Sequence, residues 1–142
     1  MIRIITIDYG LKRTGIAISD LGEVIAFPLE TVSSRDVISF LKNYLSKEKV
    51  DCIVIGMPRQ NDGSDSSVAG EVRKFISELK KNIKKVEVKE EDERFTSVLA
   101  KRALIDSGVK KMQRQNKSLV DVTSATILLQ GYLEKQLLKK KI

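Results

Sequence analysis

The chain has 142 residues, with 26 lysines and arginines against 19 aspartates and glutamates, and no histidine. The missing histidine excludes Ser-His-Asp and Cys-His nucleophilic arrangements and His-ligated zinc; a single cysteine, Cys52, excludes an internal disulfide and Cys-rich zinc sites. Hydrolytic chemistry is left to carboxylates, lysines, hydroxyls or a metal held by oxygen, and the formal charge of +7 favours a polyanionic partner.

This length predicts one domain, residues 1–142, burying roughly 70% of its unfolded surface. No apolar run approaches the roughly 20 residues of a membrane span. The N-terminal run reads as a strand and not as a leader. Cys52, inside Cys52-Ile53-Val54-Ile55, is expected to be a small buried hydrophobe in a reducing cytoplasm.

In chain order, residues 2–8 and 14–20 read as adjacent strands, and Val24–Thr31, interrupted at Pro28, as a third; short connections predict an antiparallel meander. Ser33, Ser34 and Asp36 are cap candidates for a helix bearing Val37, Ile38, Leu41, Tyr44 and Leu45. Val50–Ile55, closed by Gly56, suits a strand covered on both faces. A loop through Pro58, Asn61-Asp62 and Gly63 leads to a second helix marked by Val68, Val72, Phe75, Ile76, Leu79 and Ile83. Val86-Glu87-Val88 is a brief fifth strand, and Thr96 or Ser97 caps a third helix ending at Gly108. Residues 109–117 read as a basic loop. A last helix runs from about Ser118 to Leu133 or beyond, with a frayed basic tail from about 134 to 142. The expected class is α/β: a mixed five-stranded sheet, three antiparallel strands followed by alternating helices and strands, flanked by helices on both faces.

Ligands of such sheets bind beyond the carboxyl ends of the strands, at a switch point near the first strand. Asp8 sits at such an end. It reads either as a turn former or as part of a metal and phosphate site, the second because Gly10 allows close backbone approach and Lys12-Arg13 sets two cations beside it. Gly56 closes the fourth strand at the same end and is a second point of backbone approach. Asp121 falls in register with Ala125, Leu128 and Tyr132 on the apolar stripe of the last helix, where a lone charge costs several kcal/mol unless paired or metal-bound. Its bland reading is a carboxylate complementing the helix N-terminus. Asp92-Glu93-Arg94 follows the fifth strand, and Glu93 could share one cation with Asp8 if that strand pairs on the first strand's side. Three convergent carboxylates without histidine suit Mg²⁺ or Mn²⁺, and such ions support phosphodiester hydrolysis. Lys12, Arg13, Arg59, Arg94, and Arg114 and Lys117 of the basic loop are candidates for backbone phosphates, each with a solvated surface role as its alternative.

Four blocks carry a resemblance. Asp8-Tyr9-Gly10-Leu11-Lys12-Arg13-Thr14-Gly15, Gly56-Met57-Pro58 with Asp62-Gly63-Ser64, Asp92-Glu93-Arg94-Phe95-Thr96-Ser97 and Val120-Asp121-Val122-Thr123-Ser124-Ala125 resemble, in order, the motifs of the YqgF family, also called RuvX. Met57 stands where leucine is commoner and Thr123-Ser124 where alanines are usual; neither removes a charge. The resemblance implies an RNase H-like fold, metal-dependent cleavage of nucleic acid and maturation of the 5′ end of 16S ribosomal RNA, with Asp8, Glu93 and Asp121 at the family's acidic positions. Competing readings are a Holliday junction resolvase acting on branched DNA, working as a homodimer, and a non-catalytic RNA-binding assembly factor. An actin-like nucleotide-binding fold shares the first motif but needs paired domains.

Overall fold

A computed structural model of the chain describes residues 3–22, 25–58, 68–92 and 117–140. The strands are β1 (Ile4–Tyr9), β2 (Arg13–Ser19), β3 (Ala26–Ser33), β4 (Cys52–Met57) and β5 (Glu87–Asp92). Helix α1 spans Val37–Lys47 behind a short 3₁₀ turn at Ser34–Asp36, α2 spans Ala69–Asn82, and the last helix, α3, spans Lys117–Lys140. The strand order is β3-β2-β1-β4-β5, with β1, β2 and β3 antiparallel and β1, β4 and β5 parallel. The expected mixed sheet is therefore present, with the fourth strand beside the first. β1 is the switch point, antiparallel to β2 on one side and parallel to β4 on the other.

Period-two alternation divides the side chains of the sheet between its faces. Ile5, Ile7, Ile16, Ile53 and Ile55 pack with Val37 and Leu41 of α1 and Val72, Phe75 and Leu79 of α2. On the other face Ile4, Ala17, Cys52 and Val54 pack with Ala125, Leu129, Tyr132 and Leu133 of α3. β1 and β4 are buried on both sides, which is why they read as unbroken apolar runs. The same alternation assigns Thr6, Asp8, Gly15 and Gly56 to the face that α3 covers.

Several expectations need adjustment. β3 runs to Ser33, and an irregularity between Ile16 and Ala17 lets Leu29 slip past without a partner beside Pro28. Pro28 is tolerated because β3 is an edge strand. β5 extends to Asp92, so Lys89-Glu90-Glu91-Asp92 is strand and not a run beyond it. It is an edge too, pairing with β4 and lying one strand away from β1. Neither Ser33 nor Asp36 caps through its side chain. α3 is helical through Lys140, within the expected run to Leu133 or beyond. Its Gln130 side chain accepts from the Ala26 N–H at 3.0 Å on edge strand β3, and its Lys135 pairs with Glu91 on edge strand β5. The helix expected from Thr96 or Ser97 to Gly108, the loop through Asn61-Asp62-Gly63-Ser64 and most of the 109–117 loop lie outside the described residues.

Candidate active site at the carboxyl end of the first strand

Asp8 leaves the core at the end of β1, where the next residue, Tyr9, stacks on Phe75 of α2 with ring centroids 4.5 Å apart. That contact fixes the strand end on one face while Asp8 faces the other. The turn that follows is tight. A Cβ added to Gly10 would lie 2.4 Å from the Arg13 carbonyl oxygen, so the glycine serves the crossing of the chain over itself. Ser34 clamps this turn: its hydroxyl donates to the Gly10 carbonyl and shares a 2.8 Å hydrogen bond with Thr14 Oγ1, and its N–H donates to the Lys12 carbonyl at 3.0 Å. Committed to the turn, the Ser34 hydroxyl does not cap α1. Each bond contributes about 0.5–1.5 kcal/mol, and together they hold the residues between Asp8 and Thr14 in one conformation.

The second carboxylate is brought in by a glycine. Gly15 is the cross-strand partner of Asp8, directly opposite it and so roughly 5 Å away between Cα atoms. A Cβ on Gly15 would lie 2.0 Å from the backbone oxygen of Asp121 and 2.9 Å from the backbone nitrogen of Val122. Helix α3 therefore rests its backbone on β2 at the position beside Asp8, and only glycine permits that approach. Asp121 follows the expected stripe, since Ala125, Leu128 and Tyr132 are all buried. Its carboxylate accepts from Arg13 Nε at 3.1 Å. With 36% of the Arg13 side chain and 26% of the Asp121 side chain exposed, this pair contributes at most about 1 kcal/mol to stability, and its main effect is positional.

Two buried hydroxyls border the same seam. Thr6 precedes Asp8 by two residues on the same strand face, and Ser124 follows Asp121 by one helical turn. Neither Thr6 Oγ1 nor Ser124 Oγ has a hydrogen-bond partner among the described residues.

Of the candidates named from the sequence, Asp8 and Asp121 come together. Arg13 joins them, though its Nε lies on Asp121; Lys12 is exposed on the same turn and Lys117 opens α3. Gly56 is level with Asp8 on the neighbouring strand, since Ile7 pairs with Ile55. Glu93, Arg94, Arg59 and Arg114 lie outside the described residues. Asp92, which precedes Glu93, is paired with Met57 at the same end of the sheet. Among the described residues no three acids or cysteines gather as a metal-holding group. The donors in hand, Asp8 and Asp121, are hard oxygens of the type that Mg²⁺ and Mn²⁺ take. The sequence pattern left Gly15 unremarked and marked Ser34 only as a helix-cap candidate. A glycine inside a strand signals close approach by another backbone, so Gly15 was findable; nothing in the pattern pointed to Ser34 as the clamp of the β1–β2 turn.

No helix among the described residues is long and apolar enough to cross a membrane. A family model described as "RuvX: Holliday junction resolvase" matches residues 2–135. A protein of Flavobacterium psychrophilum named "Putative pre-16S rRNA nuclease" is 49% identical over 137 residues, covering 96% of this chain and all of its own. One of the same name from Bacteroides fragilis is 48% identical over 134 residues, covering 94% of this chain and 97% of its own. Among solved structures, Thermus thermophilus RuvC in complex with a Holliday junction substrate superposes with a TM-score of 0.58 at 16% identity, over 96% of both chains. A second structure of Thermus thermophilus RuvC gives a TM-score of 0.55 at 13% identity, over 96% of both chains. At such identities the likeness concerns the fold, which is RNase H-like. The family match over residues 2–135 and these relatives place this chain in the RuvX family.

Proposed function

We propose that this protein is a hydrolase of phosphodiester bonds, a nuclease that acts on structured RNA and matures the 5′ end of 16S ribosomal RNA in the cytoplasm. The observation that carries the reading is the seat of α3 on Gly15, which sets Asp121 beside Asp8 at the switch point of the sheet. The relatives' name supports the RNA substrate.

In this reading Asp8, Asp121 and Glu93 would hold Mg²⁺ or Mn²⁺, which when bound would supply activation of the attacking water and stabilisation of the leaving oxygen. The chain's own part is placement. The Ser34 clamp and the Tyr9–Phe75 stack fix Asp8, and Gly15 and Arg13 fix Asp121. Lys12, Arg13, Arg59, Arg94, Arg114 and Lys117 neutralise backbone phosphates of the bound strand, contacts that position it without reading its sequence.

A second reading is cleavage of branched DNA, favoured by the family's description and by the RuvC fold; in it the protein would work as a homodimer. End-labelled 16S precursor RNA and a four-way DNA junction, each incubated with Mn²⁺ and the wild-type protein, separate the two. The proposal expects cleavage of the RNA at a defined 5′ position; cleavage of the junction alone would transfer the assignment to the second reading.

A further inference from the structure

At the opposite end of the sheet, where β4 and β5 begin and α1 and α2 end, lies a groove of about 730 Å³. Its floor is apolar, formed by Leu45, Val50, Ile83 and Val86, and its rim carries Lys42, Lys49, Lys81, Lys84 and Lys85. Lys47 at the end of α1 and Lys80 in an adjoining depression extend the same cationic surface. All seven lysines are exposed, and none is ion-paired with an acid among the described residues. The two acids in the groove are otherwise engaged. Glu48 pairs with the Arg3 guanidinium at 3.2 Å, and Asp51 accepts from the Arg3 N–H at 3.2 Å.

Helix dipoles explain part of this surface. Lys47, Lys80 and Lys81 lie in the last turns of α1 and α2, where a cation is favoured. Lys42, Lys49, Lys84 and Lys85 are not accounted for in that way. Four further like charges around one groove repel each other, a cost that a bound polyanion would remove. Lysine stems can also cover the apolar floor while their ammonium groups stay in water.

We infer that this groove is a second docking surface for the phosphate backbone of RNA, engaging substrate away from the scissile bond. The inference rests on the nuclease reading above. Asp51 immediately precedes β4, level with Arg3, and Asp8 lies five residues beyond Arg3, so the groove is about 17 Å from the acidic pair along the strand direction. A structured RNA reaches across that span, and a dinucleotide held at Asp8, the short RNA of the test below, does not. A long polyanion is favoured over an acidic peptide because the same molecule already meets cations at the other end of the sheet.

The test is binding of a long hairpin RNA and of a short single-stranded RNA, in Ca²⁺, across a salt series. The proteins are wild type, Lys81→Gln/Lys84→Gln/Lys85→Gln and, as an independent pair, Lys42→Gln/Lys49→Gln. For the long RNA the triple variant is expected to lose at least about tenfold in affinity, and its salt slope to fall by about 2, each phosphate contact contributing roughly 0.7–0.9. Short-RNA binding and its Mn²⁺-dependent cleavage stay unchanged. Unaltered salt slopes in both variants overturn the inference while leaving the nuclease reading intact. So does loss of polyglutamate binding with RNA binding retained, which would assign the groove to an acidic protein. Failure of the wild type to bind either RNA overturns the nuclease reading itself.

Discussion

Replacing Gly15 by alanine tests how the two carboxylates are brought together. The added Cβ would sit 2.0 Å from the Asp121 carbonyl oxygen, whereas ordinary van der Waals contact begins at 3.4 Å, so one backbone has to retreat by about 1.4 Å. Both partners are backbone, in a strand core and a helix start, so no side-chain rotation relieves the clash. Overpacking of this kind costs about 1–3 kcal/mol, and for a chain of this length each kcal/mol lowers Tm by roughly 3–5 °C. A drop of about 3–15 °C is expected in a circular-dichroism melt. Because the movement separates Asp121 from Asp8, Mn²⁺ affinity measured by calorimetry should also fall, on the order of tenfold or more. Gly131→Ala is the control. Its Cβ meets nothing within 4 Å in the middle of α3, so it should stabilise by about 0.5–1 kcal/mol without changing Mn²⁺ binding. If Gly15→Ala melts with the wild type and binds Mn²⁺ equally well, α3 does not seat Asp121 through this contact.

Ser34→Ala removes the clamp on the β1–β2 turn and leaves the Gly10 carbonyl and Thr14 hydroxyl without it; a loss of about 1–3 kcal/mol in urea unfolding is expected, and a change below about 0.5 kcal/mol would show that the turn holds itself. Thr6→Val removes a fully buried hydroxyl that has no described partner, so it should be neutral or stabilising by about 1 kcal/mol; clear destabilisation would mean that the hydroxyl bonds to an ordered water or to an undescribed residue. Arg13→Gln should change stability by no more than about 1 kcal/mol, since its pair with Asp121 is partly exposed, yet weaken RNA binding and flatten its salt dependence by about 0.7–0.9; unchanged RNA binding would confine Arg13 to positioning Asp121.

Much of the fold was legible because burial on two faces and burial on one leave different patterns. β1 and β4 announced themselves as unbroken apolar runs, and their adjacency followed from the handedness of the crossover between them. The far end of β5 was not legible. Lys89 to Asp92 are mostly exposed on an edge strand, so only backbone pairing to β4, not hydrophobicity, extends that strand. Likewise α3 continues past Leu133 through a lysine-rich stretch, where the ion pair from Lys135 to Glu91 comes from another part of the chain. In the site, Asp121 was legible as a charge on an apolar stripe, and Asp8 as the acid that ends a buried run. What joins them was not: Arg13 read as a phosphate contact, and no pattern showed that its Nε also bonds to a carboxylate 108 residues away. Pairings of that kind leave no periodicity to read.

The proposed function requires Asp8 and Asp121 to act as one metal-holding pair in the cleavage of RNA. The direct measurement is the rate of Mn²⁺-dependent cleavage of end-labelled 16S precursor RNA by wild type, Asp8→Asn and Asp121→Asn, with thermal melts of each to confirm that the fold is kept. The account predicts that wild type cuts at a defined position and that either substitution lowers the rate on the order of 100-fold or more while leaving the protein folded. Cleavage at the wild-type rate by a folded Asp8→Asn or Asp121→Asn protein would contradict it.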